Sequence, residues 1–244
     1  MKRILIIGGA SGIGLSLANV LSQKDETEQI YVVDKKPLPS ENSNKKTESF
    51  IFDLMQADYS FFDRFEDIDA LIITAGFAKL SLFKDVNEDY ITNSFIVNSL
   101  APIRIIKHFY DRILSEKDFF CGVMVSISGF MSSPFYSVYA ATKASLKIFI
   151  ESVNVELCKE GSTNRILNIS PGSIKGTSFN GGKTDLAQTQ TLANQILQHL
   201  EAKDDLFIPQ YEEVFKQVLE RYHQDFRKEG LHSYDYKLNS GRVK

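Results

Sequence analysis

The sequence has few cysteines and no long apolar run. Its two cysteines, Cys121 and Cys158, lack the spacing of metal ligands and lie in apolar surroundings. This pattern argues against a disulfide framework, predicts no metal site and is typical of reduced thiols in a cytoplasmic protein. Residues 4–7 form the first apolar run, which is too short for a signal-peptide core or a membrane span. We therefore expect no membrane association.

The chain also lacks an excess of one charge and any break in composition. Its formal net charge is -3, with acidic and basic residues interspersed, so nothing predicts a nucleic-acid or membrane-surface partner. No internal repeat is present, and a hydrophobic content of 43% is ordinary for a packed globular core. These features predict a single domain over residues 1–244.

Short apolar runs alternate with longer segments of helical periodicity, as in β-α-β units. The predicted strands are residues 3–7, 30–33, 49–52, 70–73, 122–127, 165–169 and 206–208. The predicted helices are residues 12–23, 87–115, 137–159 and 184–202, and an apolar stripe of helical spacing covers 212–226. The predicted fold class is α/β, a doubly wound parallel sheet in a three-layer Rossmann fold.

A glycine-rich turn follows the first predicted strand and opens the first predicted helix. This arrangement points free backbone N–H groups and the positive end of a helix dipole at a phosphate. Gly8 permits the tight turn, Gly12 the approach of a diphosphate, and Gly14 the packing of the helix on the sheet. The spacing is G-x-x-x-G-x-G and not G-x-G-x-x-G, so the turn predicts a dinucleotide site by its context.

Carboxylates follow the second and third predicted strands. Asp34 lies 20 residues beyond Gly14, where a carboxylate accepts hydrogen bonds from the adenosine ribose and repels a 2′-phosphate, which favours NAD. Lys35 and Lys36 directly after it would attract that phosphate, so NADP is the alternative. Asp53 is either a second cofactor contact or the N-cap of the next helix.

Tyr139 and Lys143 are spaced for one face of a predicted helix. Because four residues separate them, the phenol and the ammonium lie about one turn apart. A fixed cation favours ionisation of a neighbouring phenol, so Lys143 is expected to lower the pKa of Tyr139. Such a phenol is a candidate general acid for the alkoxide that hydride transfer to a carbonyl produces. The alternative is a structural helix pair with an anchored hydroxyl.

Four motifs in order resemble the short-chain dehydrogenase/reductase family over residues 1–177. They are the turn Gly8-x-x-x-Gly12-Ile13-Gly14, Thr74-Ala75-Gly76 in place of the family's Asn-Ala-Gly, Tyr139-x-x-x-Lys143, and Pro171-Gly172. Any one is common by chance, whereas four in register are specific. The resemblance implies a cofactor site formed by Gly8, Ser11, Gly12, Ile13, Gly14, Asp34, Asp53, Leu54, Ala75, Gly76, Tyr139, Lys143, Pro171, Gly172 and Ile174.

The resemblance also implies a catalytic group of Asn98, Ser126, Tyr139 and Lys143. Asn98 lies 24 residues beyond the start of Thr74-Ala75-Gly76, the family's usual interval, and would position a water that returns protons to Tyr139 through Lys143. Ser126 lies 13 residues before Tyr139 and would donate to the developing oxyanion. Aligning the start of the preceding strand instead favours Ser128 or Gly129. Lys143 would also hold the nicotinamide ribose.

Three residues depart from the family pattern. Ile7 and Thr74 stand where the family often has Thr and Asn, which is expected to weaken side-chain hydrogen bonding around the turn, and Thr177 comes one residue later than usual. The sequence favours an NAD(P)-dependent oxidoreductase with a small-molecule alcohol or carbonyl substrate and Tyr139 as general acid and base. The departures motivate the alternative, a non-catalytic dinucleotide-binding regulatory or scaffold protein.

The remaining predictions concern substrate and assembly. Residues 173–205, which begin with a Gly-, Ser- and Thr-rich segment, predict a substrate lid or, alternatively, a plain surface loop. Residues 206–244 predict a C-terminal strand and helix extension, whose apolar stripe favours a core or subunit contact. Phe130, Met131, Phe135 and Phe179 would line an apolar pocket near Tyr139. The family's pairing of two long helices implies a homodimer or homotetramer.

Overall fold

The computed structural model describes residues 1–177, 179, 183–240 and 243. Its strands are β1 (Arg3–Ile7), β2 (Gln29–Asp34), β3 (Thr47–Ile51), β4 (Ala70–Ile73), β5 (Phe120–Met124), β6 (Ile166–Ile169) and β7 (Leu206–Phe207). All pair in parallel in one sheet of order β3-β2-β1-β4-β5-β6-β7. The predicted doubly wound α/β sheet is confirmed.

Helices cover both faces of this sheet. The helices of the described residues are α1 (Gly12–Ser22), α2 (Glu88–Phe95), α3 (Ala101–His108), α4 (Tyr110–Leu114), α5 (Ser137–Lys159), α6 (Leu186–Glu201), α7 (Lys216–Gln224) and α8 (Phe226–Asn239). In the described part of the chain, none of the helices has both the length and the apolar character that a membrane crossing requires.

The central strand β1 shows how the three layers form. Side chains alternate between the two faces of a strand, and Ile4 and Ile6 pack with the core residues of α1 and α6. Leu5 and Ile7 pack on the opposite face with those of α3 and α5. The strand order reverses between β1 and β4. Ligands bind at the carboxyl edge beside such a reversal, so this edge is the candidate site.

The helix predicted over 87–115 is wrong as a single element. Between α2 and α3 the chain forms a five-residue π turn, Ile96–Leu100, and α4 follows α3 after a further break. Pro102 near the start of α3 has no backbone N–H and cannot make the hydrogen bond of a regular helix at that position. The π turn carries Asn98, so the irregularity lies at a predicted site residue.

The fifth strand begins and ends earlier than predicted. It covers Phe120–Met124 and not 122–127, because a 3-10 turn over Ile127–Gly129 follows, with Ser126 as its N-cap. Ser126 therefore lies in the loop that follows β5, at the carboxyl edge.

The apolar stripe predicted over residues 212–226 lies mainly on α7, and a further helix, α8, follows it. A π turn (Tyr211–Phe215) leads into α7, and α8 begins at the N-cap Asp225, whose carboxylate accepts from two backbone N–H groups. None of the stripe residues Val214, Phe215, Val218, Leu219 and Tyr222 is buried. The stripe is therefore not part of the core.

The segment predicted as a lid contains a core helix. Leu192, Ile196 and Leu200 of α6 are buried and belong to the cluster shared with α1. Before α6, Ile174 packs against the same cluster, and Ser178 and residues 180–182 lie outside the described residues. A lid stays a prediction for the part of the chain that precedes α6.

Candidate active site

The glycine turn joins β1, β4 and α1 without space for side chains. Gly8 adopts φ +88°, and a Cβ there would lie 2.5 Å from the backbone N of Ala75. A Cβ at Gly14 would lie 2.4 Å from Gly8 O. Both distances are below any ordinary contact, so the close approach of these backbones requires glycine. The first turn of α1 thus begins directly beside the end of β4.

Thr74 links the turn to β4, contrary to the expected weakening. Its hydroxyl is a donor 3.1 Å from Ile7 O and 3.0 Å from Gly8 O. The backbone N of Thr74 also donates to Ile7 O at 2.8 Å. The Thr74 hydroxyl therefore hydrogen-bonds the glycine turn at the position where the family often has the side-chain amide of Asn.

The chain before α6 reaches the glycine turn. Gly12 N donates to Thr184 Oγ1 at 2.9 Å. The side chain of Thr177 lies 3.8 Å from the position a Cβ would take on Gly12, and Thr177 Oγ1 donates to Ile174 O at 3.0 Å. Both threonines border the backbone donors predicted for a diphosphate.

Asp34 faces the same turn from the end of β2. Its Oδ2 accepts from Ala10 N at 3.1 Å and its Oδ1 from Lys36 N at 3.2 Å. A carboxylate has about four acceptor positions, so each oxygen retains a lone pair. The side chains of Lys35 and Lys36 are exposed.

Three more of the predicted cofactor residues have contacts of their own within the protein. Asp53 Oδ1 accepts from Met55 N at 3.0 Å and so caps a turn, since no α-helix begins there. Leu54 is buried in the core. Gly172 lies against the ring of Phe215, and a Cβ added to Gly172 would lie 2.6 Å from that ring.

Asn98 is completely buried and holds the chain after β4. Its Oδ1 accepts from Phe77 N and its Nδ2 donates to Phe77 O, both at 2.9 Å. A Cβ on Gly76 would lie 3.2 Å from Asn98 Oδ1 and 3.6 Å from Lys143 Nζ. Gly76, Asn98 and Lys143 therefore meet at one point of the edge.

Lys143 is buried beneath this point. Its Nζ donates to Met124 O at 2.7 Å. Removal from water disfavours the charged ammonium, and burial lowers the pKa of Lys143 to about 7. The amine is therefore close to half protonated at neutral pH.

Tyr139 is 6% exposed, and its hydroxyl forms a hydrogen bond with Ser126. Lys143 Nζ lies 5.8 Å from its ring centre. The expectation that Lys143 lowers the pKa of Tyr139 is wrong for the protein's own groups: burial raises this pKa, and the Ser126 hydrogen bond only partly opposes the rise. Tyr139 is a protonated acid at neutral pH.

The structure distinguishes the two candidate serines. Ser126 Oγ accepts from Ser128 N at 3.1 Å and bonds to Tyr139. The geometry supports Ser126 as the partner of Tyr139.

A family model described as short chain dehydrogenase matches residues 2–190. The chain belongs to the short-chain dehydrogenase family. The uncharacterized oxidoreductase TDA5 of Saccharomyces cerevisiae is 28% identical over 216 residues, which are 81% of this chain. The alignment spans 65% of the length of the yeast protein.

Two solved structures share the fold. A short-chain dehydrogenase/reductase from Burkholderia phymatum in complex with NAD has a TM-score of 0.77 and 13% identity, covering 93% of this chain and 94% of its own. ElxO with NADP bound has a TM-score of 0.67 and 16% identity, covering 86% and 98%. At these identities the likeness concerns the fold alone.

Three aromatic residues lie near Tyr139, two of which the sequence did not single out. The ring of Tyr136 lies 5.7 Å from it and that of Phe179 5.5 Å, and Tyr90 is close enough to affect its pKa. Only Phe179 of these was predicted. The spacing of Tyr136, three residues before Tyr139 on the same helical face, was the available signal.

Two other predicted pocket residues, Phe135 and Phe130, make further contacts. The ring of Phe135 packs on Tyr234 of α8 at 4.6 Å, and Lys147 Nζ lies 4.9 Å from the ring centre of Phe130. Within the described residues, no group of three His, Cys, Asp or Glu side chains is arranged to hold a metal ion.

Proposed function

We propose that the chain is an oxidoreductase that transfers a hydride between a nicotinamide cofactor and an alcohol or carbonyl substrate. The observation that carries the proposal is the meeting of Tyr139, Ser126 and Lys143 at the same sheet edge as the glycine turn. Carbonyl reduction by a dinucleotide needs a proton donor and a phosphate cradle at such an edge.

The residues present fit a dinucleotide. The Gly12 N–H already donates to a hydroxyl oxygen and is a donor of the kind that a diphosphate accepts from. The remaining lone pairs of Asp34 suit ribose hydroxyls, and its charge opposes a 2′-phosphate, which supports NAD as the preferred cofactor. The nicotinamide group supplies or accepts the hydride when bound.

The protein's own side chains account for the proton. Tyr139, protonated at neutral pH because burial raises its pKa, donates to the alkoxide that carbonyl reduction produces. Ser126 stabilises the same oxygen with its hydroxyl. Lys143 returns a proton to the site and holds the ribose, while Asn98 acts through Phe77, whose backbone it fixes. The proposed relay of Asn98 through a water stays a prediction.

The surroundings of Tyr139 support an apolar or aromatic substrate. Its neighbours Tyr136, Phe179 and Tyr90 offer ring faces. Ring faces favour flat, uncharged ligands by burial of apolar area and by stacking.

The deciding experiment replaces Tyr139 with Phe. Turnover of a panel of carbonyl compounds should fall by about 10³-fold, because the general acid is lost while the ring stays. Fluorescence titration should show unchanged NADH binding, tighter than NADPH binding. Tyr110→Phe, which removes a hydroxyl on α4, is the matched control and should keep full activity.

Two outcomes would contradict this proposal. Retained turnover in Tyr139→Phe would remove Tyr139 from the chemistry. A wild-type protein that binds NADH but reduces none of the carbonyls would favour the alternative of a dinucleotide-binding regulatory or scaffold protein.

A second copy of the chain is the proposed macromolecular partner. Ile148 and Val155 of α5, seven residues apart on one helical face, are 57% and 70% exposed, and Phe95 and Leu100 before α3 are also exposed. An apolar face of this kind suits a homodimer or homotetramer built on the long helices. Sedimentation at two protein concentrations tests this, and a persistent monomer would count against it.

A further inference from the structure

The last helix lies against the segment that connects Ser126 to Tyr139. Lys237 Nζ on α8 donates to Ser133 Oγ and to Pro134 O, each at 2.8 Å. The same ammonium lies 5.3 Å from the centre of the Tyr136 ring. One cation from the C-terminal helix therefore contacts three successive parts of this segment.

The segment has a backbone conformation that needs such support. Phe135 has φ +66°, a left-handed value that residues other than glycine rarely adopt. Conformations of this kind persist where neighbouring contacts over-determine them. Phe135 O accepts from Ser81 N at 2.9 Å, and its ring packs on Tyr234, which lies on α8 one turn before Lys237.

The contacts continue directly to the candidate acid. Tyr136 N donates to Ser133 O at 2.9 Å, and this hydrogen bond closes a turn. Lys237 donates to the Ser133 hydroxyl and to the Pro134 carbonyl of the same turn. Tyr136 is the residue before α5, and its ring lies 5.7 Å from that of Tyr139. Any movement of this turn therefore moves the ring beside the phenol.

We propose that Lys237 is a positioning residue of the active site, which holds the turn 133–136 so that Tyr136 forms the surface on which the carbonyl substrate lies. The inference rests on the proposed function. It assigns a role to α8, which lies beyond residues 2–190 that the family model matches. Lys237 acts through Ser133 and Pro134 and not on the substrate itself.

Lys237→Met tests the proposal, because methionine keeps an unbranched stem but removes the charge and its hydrogen bonds. The kcat/KM for a carbonyl substrate should fall by about tenfold, mainly through KM, since a displaced surface misplaces the substrate. NADH affinity should not change. Hydrogen exchange of amides in residues 130–138 should become faster, while exchange in β1 and α1 stays the same.

Two variants complete the test. Lys228→Met removes an exposed lysine from the same helix and should leave KM and exchange unchanged. Lys237→Arg should restore KM, because a guanidinium also donates to two oxygens.

The results separate this proposal from the proposed function. If wild-type protein reduces no carbonyl, the proposed function fails, and the exchange measurement still decides whether Lys237 holds the turn. Unchanged exchange over 130–138, or an equal rise in KM in Lys228→Met, would overturn the proposal. If Lys237→Met does not fold, Ser133→Ala removes a partner of the ammonium and should give the same pattern with a smaller effect; no change in that variant would also overturn it.

Discussion

The carboxyl and amino edges of the sheet use the same residue types in opposite ways. At the carboxyl edge, Lys143 is buried and bonds to a backbone carbonyl, and Gly8 has no space for a Cβ. At the amino edge, Lys203 pairs with Asp118 and donates to Asn164 Oδ1 at 3.0 Å. Gly161, with φ +80°, has no atom within 4 Å of a Cβ position.

The difference shows where the fold gives up stability. A lysine in contact with a carboxylate keeps its charge at low cost, whereas a lysine removed from water without one destabilises the folded state. The ion pair of Lys203 with Asp118 stabilises the fold. The buried Lys143 instead gains and loses a proton near neutral pH, as a group that transfers protons must.

The largest expected effect comes from a comparison of two glycines with similar backbone conformation, Gly8 at the carboxyl edge and Gly161 at the amino edge. Gly8→Ala combines an unfavourable positive φ with a contact to Ala75 N, and should lower the free energy of unfolding by about 3–5 kcal/mol. Gly161→Ala has only the backbone strain and should cost about 1 kcal/mol. Urea denaturation of both variants measures the difference, and equal losses would show that the close packing around Gly8 is relaxed in solution.

The second test compares the two lysines as a function of pH. Because burial lowers the pKa of Lys143 to about 7, the folded state binds fewer protons than the unfolded state between pH 7 and about 10.5, so stability rises with pH in that window. Lys143→Met removes this cost and should stabilise the fold by about 2–4 kcal/mol at pH 6, with the gain disappearing towards pH 10.

Lys203→Met is the matched control at the other edge. It removes an ion pair on the surface and should cause a small loss of stability, with no gain at acidic pH. Thermal unfolding of both variants at pH 6 and pH 9 provides the measurement. A gain for Lys143→Met that does not depend on pH would mean that its ammonium is well solvated.

The sequence predicted the elements whose determinants are local. β1 and β4 have the predicted bounds because each is an apolar run between polar residues, and α5 begins and ends as predicted. The residue types of the glycine turn encode the backbone that they form, since only glycine fits at Gly8 and Gly14. Local chemistry sufficed for these parts.

The features that sequence reasoning missed depend on contacts between distant residues. The π turn at Asn98 goes with hydrogen bonds to Phe77, 21 residues away, and helical periodicity does not report such a contact. The pKa of Lys143 depends on the burial of its ammonium. The role inferred for Lys237 depends on contacts with Ser133 and Pro134, more than 100 residues earlier in the chain.

The parallel sheet has a consequence for how the protein folds. Its central strand pairs Ile4 with Ala70, and β5 pairs Cys121 with Ile166, so each pairing must close a long loop. Folds with such distant pairings form slowly, since loop closure precedes the contacts that stabilise it. During synthesis, β1 and β4 can meet well before the ribosome has made β6. The glycine turn can therefore take shape in a nascent chain that still lacks the residues of the proposed catalytic group.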